Sequence, residues 1–202
     1  MLLLTNIGIM NTNLLSGIAI SLAVLGLSSC ESATRLAKDI QGSWSGAPEK
    51  LIENSPSASS YMPVLTFVKT DAANGDITIT STLSISEQTS DTTTISASGQ
   101  STISGKWTAA DHDEVYINLD PSTLEVTVNP DDVIMTSNPI DGTESTTTGS
   151  LQTALTPAIK ARMTSAIQSH MLKLVKIDDI KIKNGIMTCE INDRDYSFHA
   201  VE

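Results

Sequence analysis

Aromatic side chains are scarce in this chain, which has two Trp, three Tyr and two Phe among 202 residues. Glycan-binding surfaces usually present several exposed aromatic platforms, and only Tyr61, Tyr116 and Tyr196 are available for that role beyond the tryptophans discussed below. Carbohydrate capture is therefore disfavoured. The apolar 40% of the chain is mainly Ile, Leu, Val and Ala, alongside abundant Ser and Thr, a composition that favours β-strands.

Basic residues are also few. The chain has 12 Lys and Arg against 23 Asp and Glu, which gives a formal net charge of -11, and all of that charge falls after residue 30. Proteins that bind nucleic acid need a basic face to meet the phosphates. We therefore expect no nucleic-acid partner.

Motifs typical of catalysis and of metal binding are absent. The sequence has no Gly-x-Ser-x-Gly elbow, no His-Glu-x-x-His, no phosphate loop and no Cys-x-x-Cys. The densest group of possible ligands is DHDEVY at 111–116, but adjacent residues of an extended segment point to opposite faces, so we interpret it as a solvated turn. We expect no enzymatic activity, no catalytic residue, no cofactor and no metal site.

The N-terminal segment has the features of an export signal. Residues 1–29 contain no charged side chain, and the apolar run from Leu14 to Leu27 has the length of a signal-peptide core rather than of a membrane span. It ends in Leu-Ser-Ser-Cys at 27–30, which resembles a bacterial lipobox. This resemblance predicts a signal peptide over 1–29, starting at Met1 or Met10, and a lipidated tether or helical turn over 30–38 that begins with the modified Cys30.

Cys189 is the second of the two cysteines. It has no disulfide partner if Cys30 carries lipid, and its neighbours at strand spacing, Met187 and Ile191, are apolar. We predict a buried, reduced and inert thiol. The alternative is a nucleophile, which would require a nearby base, and His199 is the only candidate base close in sequence.

Apolar and polar residues alternate with a period of two from Asp39 onward, as expected for half-buried antiparallel strands. We predict one mainly β domain over 39–202, an antiparallel meander that closes as a β-barrel, with a β-sandwich as the alternative. The segments 115–119 and 124–128 are expected to pair around a DPST turn. The remaining alternating segments are 40–45, 65–67, 77–85 and 95–107.

One helix interrupts the strand pattern. Residues 129–150 have a loop-like composition, and Thr156 and Pro157 are suitable for the N-cap and first turn of a helix near 156–174. We expect its apolar stripe to pack on the sheet or to plug one end of the barrel, the alternative being a mobile lid or a partner-facing helix. Two last strands, Ile180 to Ile191 and Tyr196 to Val201, then form a final hairpin. The stripe comprises Ile159, Met163, Ile167, Met171 and Leu174.

A short motif, Ile-x-Gly-x-Trp followed by Ser or Thr, occurs at 40–45 and again at 103–108, and it contains both tryptophans. A glycine two residues before a tryptophan on one strand face leaves room for the indole over the backbone. The repeat resembles the lipocalin-like domains of small cell-envelope lipoproteins of Gram-negative bacteria. This resemblance implies a calyx-like binding barrel. Trp44 and Trp107 would contact its ligand, or they would be purely structural.

Two classes of function remain. The first is a lipid-anchored protein of the cell envelope, in the outer membrane of a Gram-negative bacterium, which binds a small apolar or amphiphilic ligand. The second is a non-catalytic interaction or accessory protein with a filled core. In both, the membrane is a partner through the lipid on Cys30. An enclosed cavity favours the first class, and a filled core with a continuous apolar surface favours the second.

The lipidation of Cys30 can be tested by metabolic labelling with a fatty acid. The substitution Cys30→Ala should abolish the label, because Cys30 is the expected site of acylation. The acyl chains on this cysteine would hold the protein in the membrane, at about 0.8 kcal/mol for each buried methylene. Cys189→Ala is the matched control and should keep the label. Label retained on Cys30→Ala would overturn the assignment.

Overall fold

The structure is a computed structural model that describes residues 31–51, 58–137, 145–147 and 149–201. The predicted signal peptide over 1–29 and the predicted lipidation site Cys30 lie outside the described residues. Within the described ranges the fold is mainly β, as predicted, with two helices.

The first helix, α1, covers 31–39 in the described part of the chain. Ala33, Leu36 and Ala37 on this helix are buried and belong to the hydrophobic core. The amide of Ile40 donates to the Leu36 carbonyl oxygen at 2.9 Å, and the chain then enters the first strand, β1, at Gly42–Gly46. The segment expected to be a tether or a helical turn is thus a helix packed on the core.

Eight strands form a ring in which each strand pairs antiparallel with both neighbours. The ring runs β1, β3, β4, β5, β6, β10, β11, β12 and back to β1. All described strands belong to one sheet, so the two separate sheets of a sandwich are not observed. The strands after β1 are β2 (Glu49–Lys50), β3 (Ala58–Lys69), β4 (Asn74–Ser90), β5 (Thr93–Ala109), β6 (Val115–Leu119), β7 (Glu125–Thr127), β8 (Val133–Ser137), β9 (Ser145–Thr147), β10 (Lys176–Lys183), β11 (Ile186–Glu190) and β12 (Asp195–Val201).

The long strand β5 pairs in succession with three short strands. Its residues 105–109 pair with β6, 100–102 with β7 and 93–97 with β8. The expected pairing of 115–119 with 124–128 is therefore wrong, because both strands use β5 as their partner. The expectation of a loop throughout 129–150 is also wrong, since β8 and β9 lie within it.

The second helix, α2, spans Ser150–Met171 and begins earlier than the 156–174 predicted. Gly149 occupies the N-cap, where its amide donates to the Gln152 side chain at 2.8 Å, and that side chain also donates to the Val133 carbonyl oxygen at 2.8 Å. This anchoring stabilises the first turns, so Pro157 is accommodated inside the helix instead of starting it. Four residues of the predicted stripe are buried, which confirms that it packs on the sheet: Ile159, Met163, Ile167 and Met171.

The C-terminal region contains three strands where two were predicted. The stretch Ile180 to Ile191 is a hairpin of β10 and β11, whose two-residue turn, Asn184-Gly185, has φ of 54° and 74°. Positive φ at both central positions is the type I′ geometry, which Asn-Gly favours because its twist matches that of the strands. The β11–β12 turn, Asn192-Asp193, has φ of 53° and 61°.

Each opening of the ring lies next to one helix. At the α1 end are the β3–β4, β5–β6 and β10–β11 turns, and the Ser32 hydroxyl donates to Asp111 of the β5–β6 turn. At the α2 end are the β11–β12 turn and the first half of β3, whose Tyr61 contacts His170 of α2. These two names, the α1 end and the α2 end, are kept below.

Both tryptophans lie in the core, and neither ring packs on the glycine of its own motif. Trp44 is 5% exposed and Trp107 1%. A Cβ added at Gly75, the cross-strand partner of Trp107, would lie 2.5 Å from the indole Nε1, whereas one added at Gly105 would meet the Asn118 backbone at 2.3 Å. Gly42 has open space around it and a φ of 121°. The glycines of the two motifs therefore have roles other than the one predicted.

Removing the Trp107 ring should destabilise the protein by about 3 to 5 kcal/mol, since the surroundings refill such a void only in part. Gly75→Ala should also be destabilising, because the new methyl group meets both the indole and the Val68 carbonyl oxygen. Urea unfolding of both variants measures this. Tyr116→Ala, at a half-exposed site on β6, is the control and should cost less than ~1 kcal/mol. A cost that small for both test variants would contradict the packing described.

Candidate functional site

A cleft of about 940 Å³ lies at the α2 end of the ring. We name it the α2 cleft. One wall is the face of α2 that presents Arg162, Ser165, Ala166 and Ser169, residues spaced at i, i+3, i+4 and i+7 and therefore aligned on one side of the helix. The other residues that line it are Glu49, Lys50, Leu51, His170, Lys173, Asn192, Arg194 and Tyr196.

A smaller apolar pocket, of about 60 Å³, continues from the α2 cleft toward the interior of the ring. The two share Glu49, His170, Lys173, Asn192 and Tyr196. Beyond these shared residues the pocket is lined by side chains of the core and of the segment after α2. They are Tyr61, Pro63, Leu65, Ile79, Met171, Leu174, Ile191 and Phe198.

The interior deeper than this pocket is occupied by side chains. Fully buried residues of the strands and of α2 fill it, among them Phe67, Ile77, Ile103, Met163 and Met187. The α2 cleft and the apolar pocket therefore lie outside the packed core.

The α2 cleft is unusually basic for this chain. Four of the 12 Lys and Arg residues line it, namely Lys50, Arg162, Lys173 and Arg194, whereas among the described residues Glu49 is the one acidic residue that lines it. The fold thus gathers cationic groups at one place on a molecule of net charge -11. Anionic groups are attracted to such a concave surface because the low-dielectric walls focus the field.

A hydrogen-bonded network joins the cleft to the pocket. Glu49 accepts hydrogen bonds from the hydroxyls of Tyr196 and Tyr61, and His170 Nε2 lies 2.5 Å from the Tyr61 hydroxyl oxygen. The rings of Tyr61 and His170 meet edge to face, 4.4 Å between centroids. The arrangement holds β2, β3, β12 and α2 together where the two spaces meet.

The protonation of this network is shifted mainly by burial. Burial raises the pKa of Glu49 above its ordinary value, although the hydrogen bonds from Tyr196 and Tyr61 and the charge of Arg194 oppose that shift. Burial also raises the pKa of Tyr61 and of Tyr196, and the negative charge of Glu49 adds to both shifts. Both phenols therefore remain protonated donors at neutral pH.

The predicted ligand-contacting residues, Trp44 and Trp107, do not line the α2 cleft or the apolar pocket. Their indole N–H groups donate to backbone carbonyl oxygens, that of Trp44 to Ile40 at 2.7 Å and that of Trp107 to Asp76 at 3.0 Å. Both indoles are buried in the core and hydrogen-bonded there, as expected for tryptophans with a purely structural role.

The basic residues of the cleft were not identified from sequence. Lys50, Arg162, Lys173 and Arg194 are scattered over the chain, each alone among neighbours of other types. The only available signal was that two of them, Arg162 and Lys173, flank the predicted apolar stripe of α2.

Cys189 is buried, as predicted, and it forms no disulfide within the part of the chain that the structure describes. Burial raises the pKa of its thiol to about 12. The thiolate form that nucleophilic chemistry needs is therefore disfavoured at neutral pH.

The acidic segment 111–114 lies in the turn between β5 and β6 at the α1 end, where Asp111 and His112 are exposed, and Val115 and Tyr116 already belong to β6. The hydrogen bond to Asp111 and the charge of Asp113 raise the pKa of His112. Asp178 and Asp179 lie in β10 at a bulge, where Asp179 has a φ of 50°. Across the described ranges, no three His, Cys, Asp or Glu side chains are grouped so as to hold a metal ion.

Replacing Glu49 by Gln should stabilise the protein in a pH-dependent way. At a pH below the pKa of an unfolded Glu, about 4.3, Glu49 is protonated in both the folded and the unfolded wild type. The free energies of unfolding of the wild type and of Glu49→Gln then differ least. The pKa of Glu49 is higher in the folded state than in the unfolded state, so ionisation of this carboxyl opposes folding as the pH rises. The wild type therefore loses stability relative to Glu49→Gln. Urea unfolding at pH 4 to 8 measures the difference, and one that does not grow with pH would contradict the assignment.

Helices long and apolar enough to cross a membrane were not found among the described residues. Comparison of the chain with protein-family models, with curated proteins and with solved structures gave no match.

Proposed function

We propose that this chain is a lipid-anchored protein of the Gram-negative cell envelope whose lipocalin-like barrel binds a small amphiphilic ligand at the α2 end. The proposal interprets the ring of eight strands as the barrel. An eight-stranded barrel has an interior just wide enough to be filled by side chains or to hold one small ligand. The packed interior described above corresponds to the filled case, so the ligand site lies at the mouth.

The observation that carries the proposal is the continuity of a polar cleft with an apolar pocket. The α2 cleft of about 940 Å³ offers charged and hydroxyl groups, and the pocket of about 60 Å³ beneath it is lined mainly by apolar side chains. Ligand sites commonly have volumes of roughly 300 to 1,000 Å³. A molecule with a polar head and an apolar tail matches this arrangement.

The position of α1 supports an anchored orientation. Its first described turn contacts the α1 end, where Ser32 bonds to Asp111, and the cleft is at the opposite end of the ring. A lipid on Cys30 would therefore place the α1 end toward the membrane. The mouth of the cleft would then face away from that membrane.

The filled core favours a second function, a non-catalytic interaction protein of the envelope. In that case the α2 cleft would be a surface groove without a ligand of its own. Binding of an uncharged amphiphile separates the two proposals, because only the first requires a site that accepts an apolar chain.

The test is photo-crosslinking of the full-length lipidated protein with dodecanol that carries a diazirine in its chain. The proposal expects labelled peptides from the pocket lining, around Met171 and Leu174. Ser169→Trp should abolish the label, because Ser169 is exposed and lines the cleft, so the indole would obstruct it without disturbing the core.

Gln168→Trp is the matched control. Gln168 is the exposed neighbour of Ser169 on α2 and does not line the α2 cleft, so this variant should label like the wild type. Equal labelling of all three proteins, or label spread over the outer surface, would favour the interaction protein instead.

A further inference from the structure

The charge of the α2 cleft is opposite to that of the whole molecule. The chain carries -11, yet among the described residues four Lys and Arg and one acidic residue line the cleft. Arg162 also forms an ion pair with Glu87, which does not line the cleft. Counting both Glu49 and Glu87 against the four cations leaves an excess of two positive charges among the described residues of this site.

Glu49, the acidic residue that lines the cleft in the described part of the chain, already has hydrogen-bond partners. The Glu49 carboxylate accepts from Tyr196 and Tyr61 and lies close enough to Arg194 to feel its charge. Asp193 and Asp195 flank Arg194 in the chain but do not line the cleft. The Glu49 carboxylate is therefore bound within the hydrogen-bonded network, and the four cationic residues line the same cleft.

Small side chains separate the basic ones on the α2 wall of the cleft. Ser165, Ala166 and Ser169 follow Arg162 on this wall, and Lys173 lies just after the end of the helix. Small side chains at these positions leave the space between the cations open, and the serine hydroxyls add hydrogen-bond donors. The opening thus combines room, positive charge and donors at the entrance to an apolar pocket.

We infer that the polar end of the ligand is an anion, a carboxylate or a phosphate monoester on a single alkyl chain, held by Lys173, Arg194 and their basic neighbours while the chain tip enters the apolar pocket. This inference rests on the proposed function and adds the chemical class of the ligand. A planar guanidinium such as that of Arg194 suits either oxyanion, since it can donate two parallel hydrogen bonds.

The experiment compares ligands with one chain and different heads. Full-length lipidated protein in digitonin, whose apolar part is a steroid and not an alkyl chain, is crosslinked with the diazirine dodecanol, and unlabelled dodecanoate, dodecyl phosphate, dodecanol or dodecyltrimethylammonium is added as competitor. The net charge of -11 by itself would favour the cationic competitor. The inference expects the reverse order, with the two anions competing at the lowest concentrations and the cation at the highest.

Variants remove the effect of unequal partitioning into micelles. Lys173→Glu should raise the half-competing concentration of both anions by roughly fivefold or more, the size expected for loss of a partly exposed ion pair. It should change that of dodecanol less than that of either anion, and it should lower that of dodecyltrimethylammonium. Lys160→Glu, the same charge change at an exposed site of α2 away from the cleft, should alter none of them.

The outcomes test the anion inference and the proposed function separately. Label that is competed equally by all heads, or a Lys173→Glu effect matched by Lys160→Glu, overturns the anion inference and leaves the proposed function standing. Absence of specific label overturns both. A larger Lys173→Glu effect on dodecyl phosphate than on dodecanoate assigns a phosphate ligand, and the reverse assigns a carboxylate; added salt should weaken competition by both anions.

Discussion

The closure of the strand ring between β1 and β12 is the constraint on which the rest of the structure depends. β1 has only five residues, yet it pairs with β3 on one side and with β12 on the other, so that Trp44 lies opposite both Leu65 and Ala200. This joins the two ends of the described chain. Closure also removes two free strand edges, which would otherwise expose unpaired backbone groups.

Closure of the ring gives the molecule two ends that differ in structure. At the α1 end, α1 and the two indoles complete the core, and the indole N–H groups are bonded to backbone oxygens. At the α2 end, α2 packs its apolar stripe against β5, β7 and β8. The opposite wall of that helix is then available to a ligand.

The same helix explains why charge and apolar surface meet at one place. Ile167 and Met171 are buried in the core, whereas Arg162 and Ser169 of the same helix line the cleft. The C-terminal half of α2 therefore has one face in the core and one in the site. Tyr61 and His170 connect the two, since their contact links a strand of the ring to the helix beside the opening.

The sequence by itself determined the strand-rich class, the burial of Cys189 and the apolar stripe of α2, because burial imposes a period of two on strands and of about 3.6 on helices. It also carried the Asn184-Gly185 turn signal, which the alternation on both sides obscured. Tertiary structure alone decided that β5 serves three partners, that Gly75 accommodates Trp107 and that Lys50, Arg162, Lys173 and Arg194 converge. Those are contacts between residues far apart in the chain. Local periodicity reports which face of an element is buried, but partners across the sheet are set only when the ring closes.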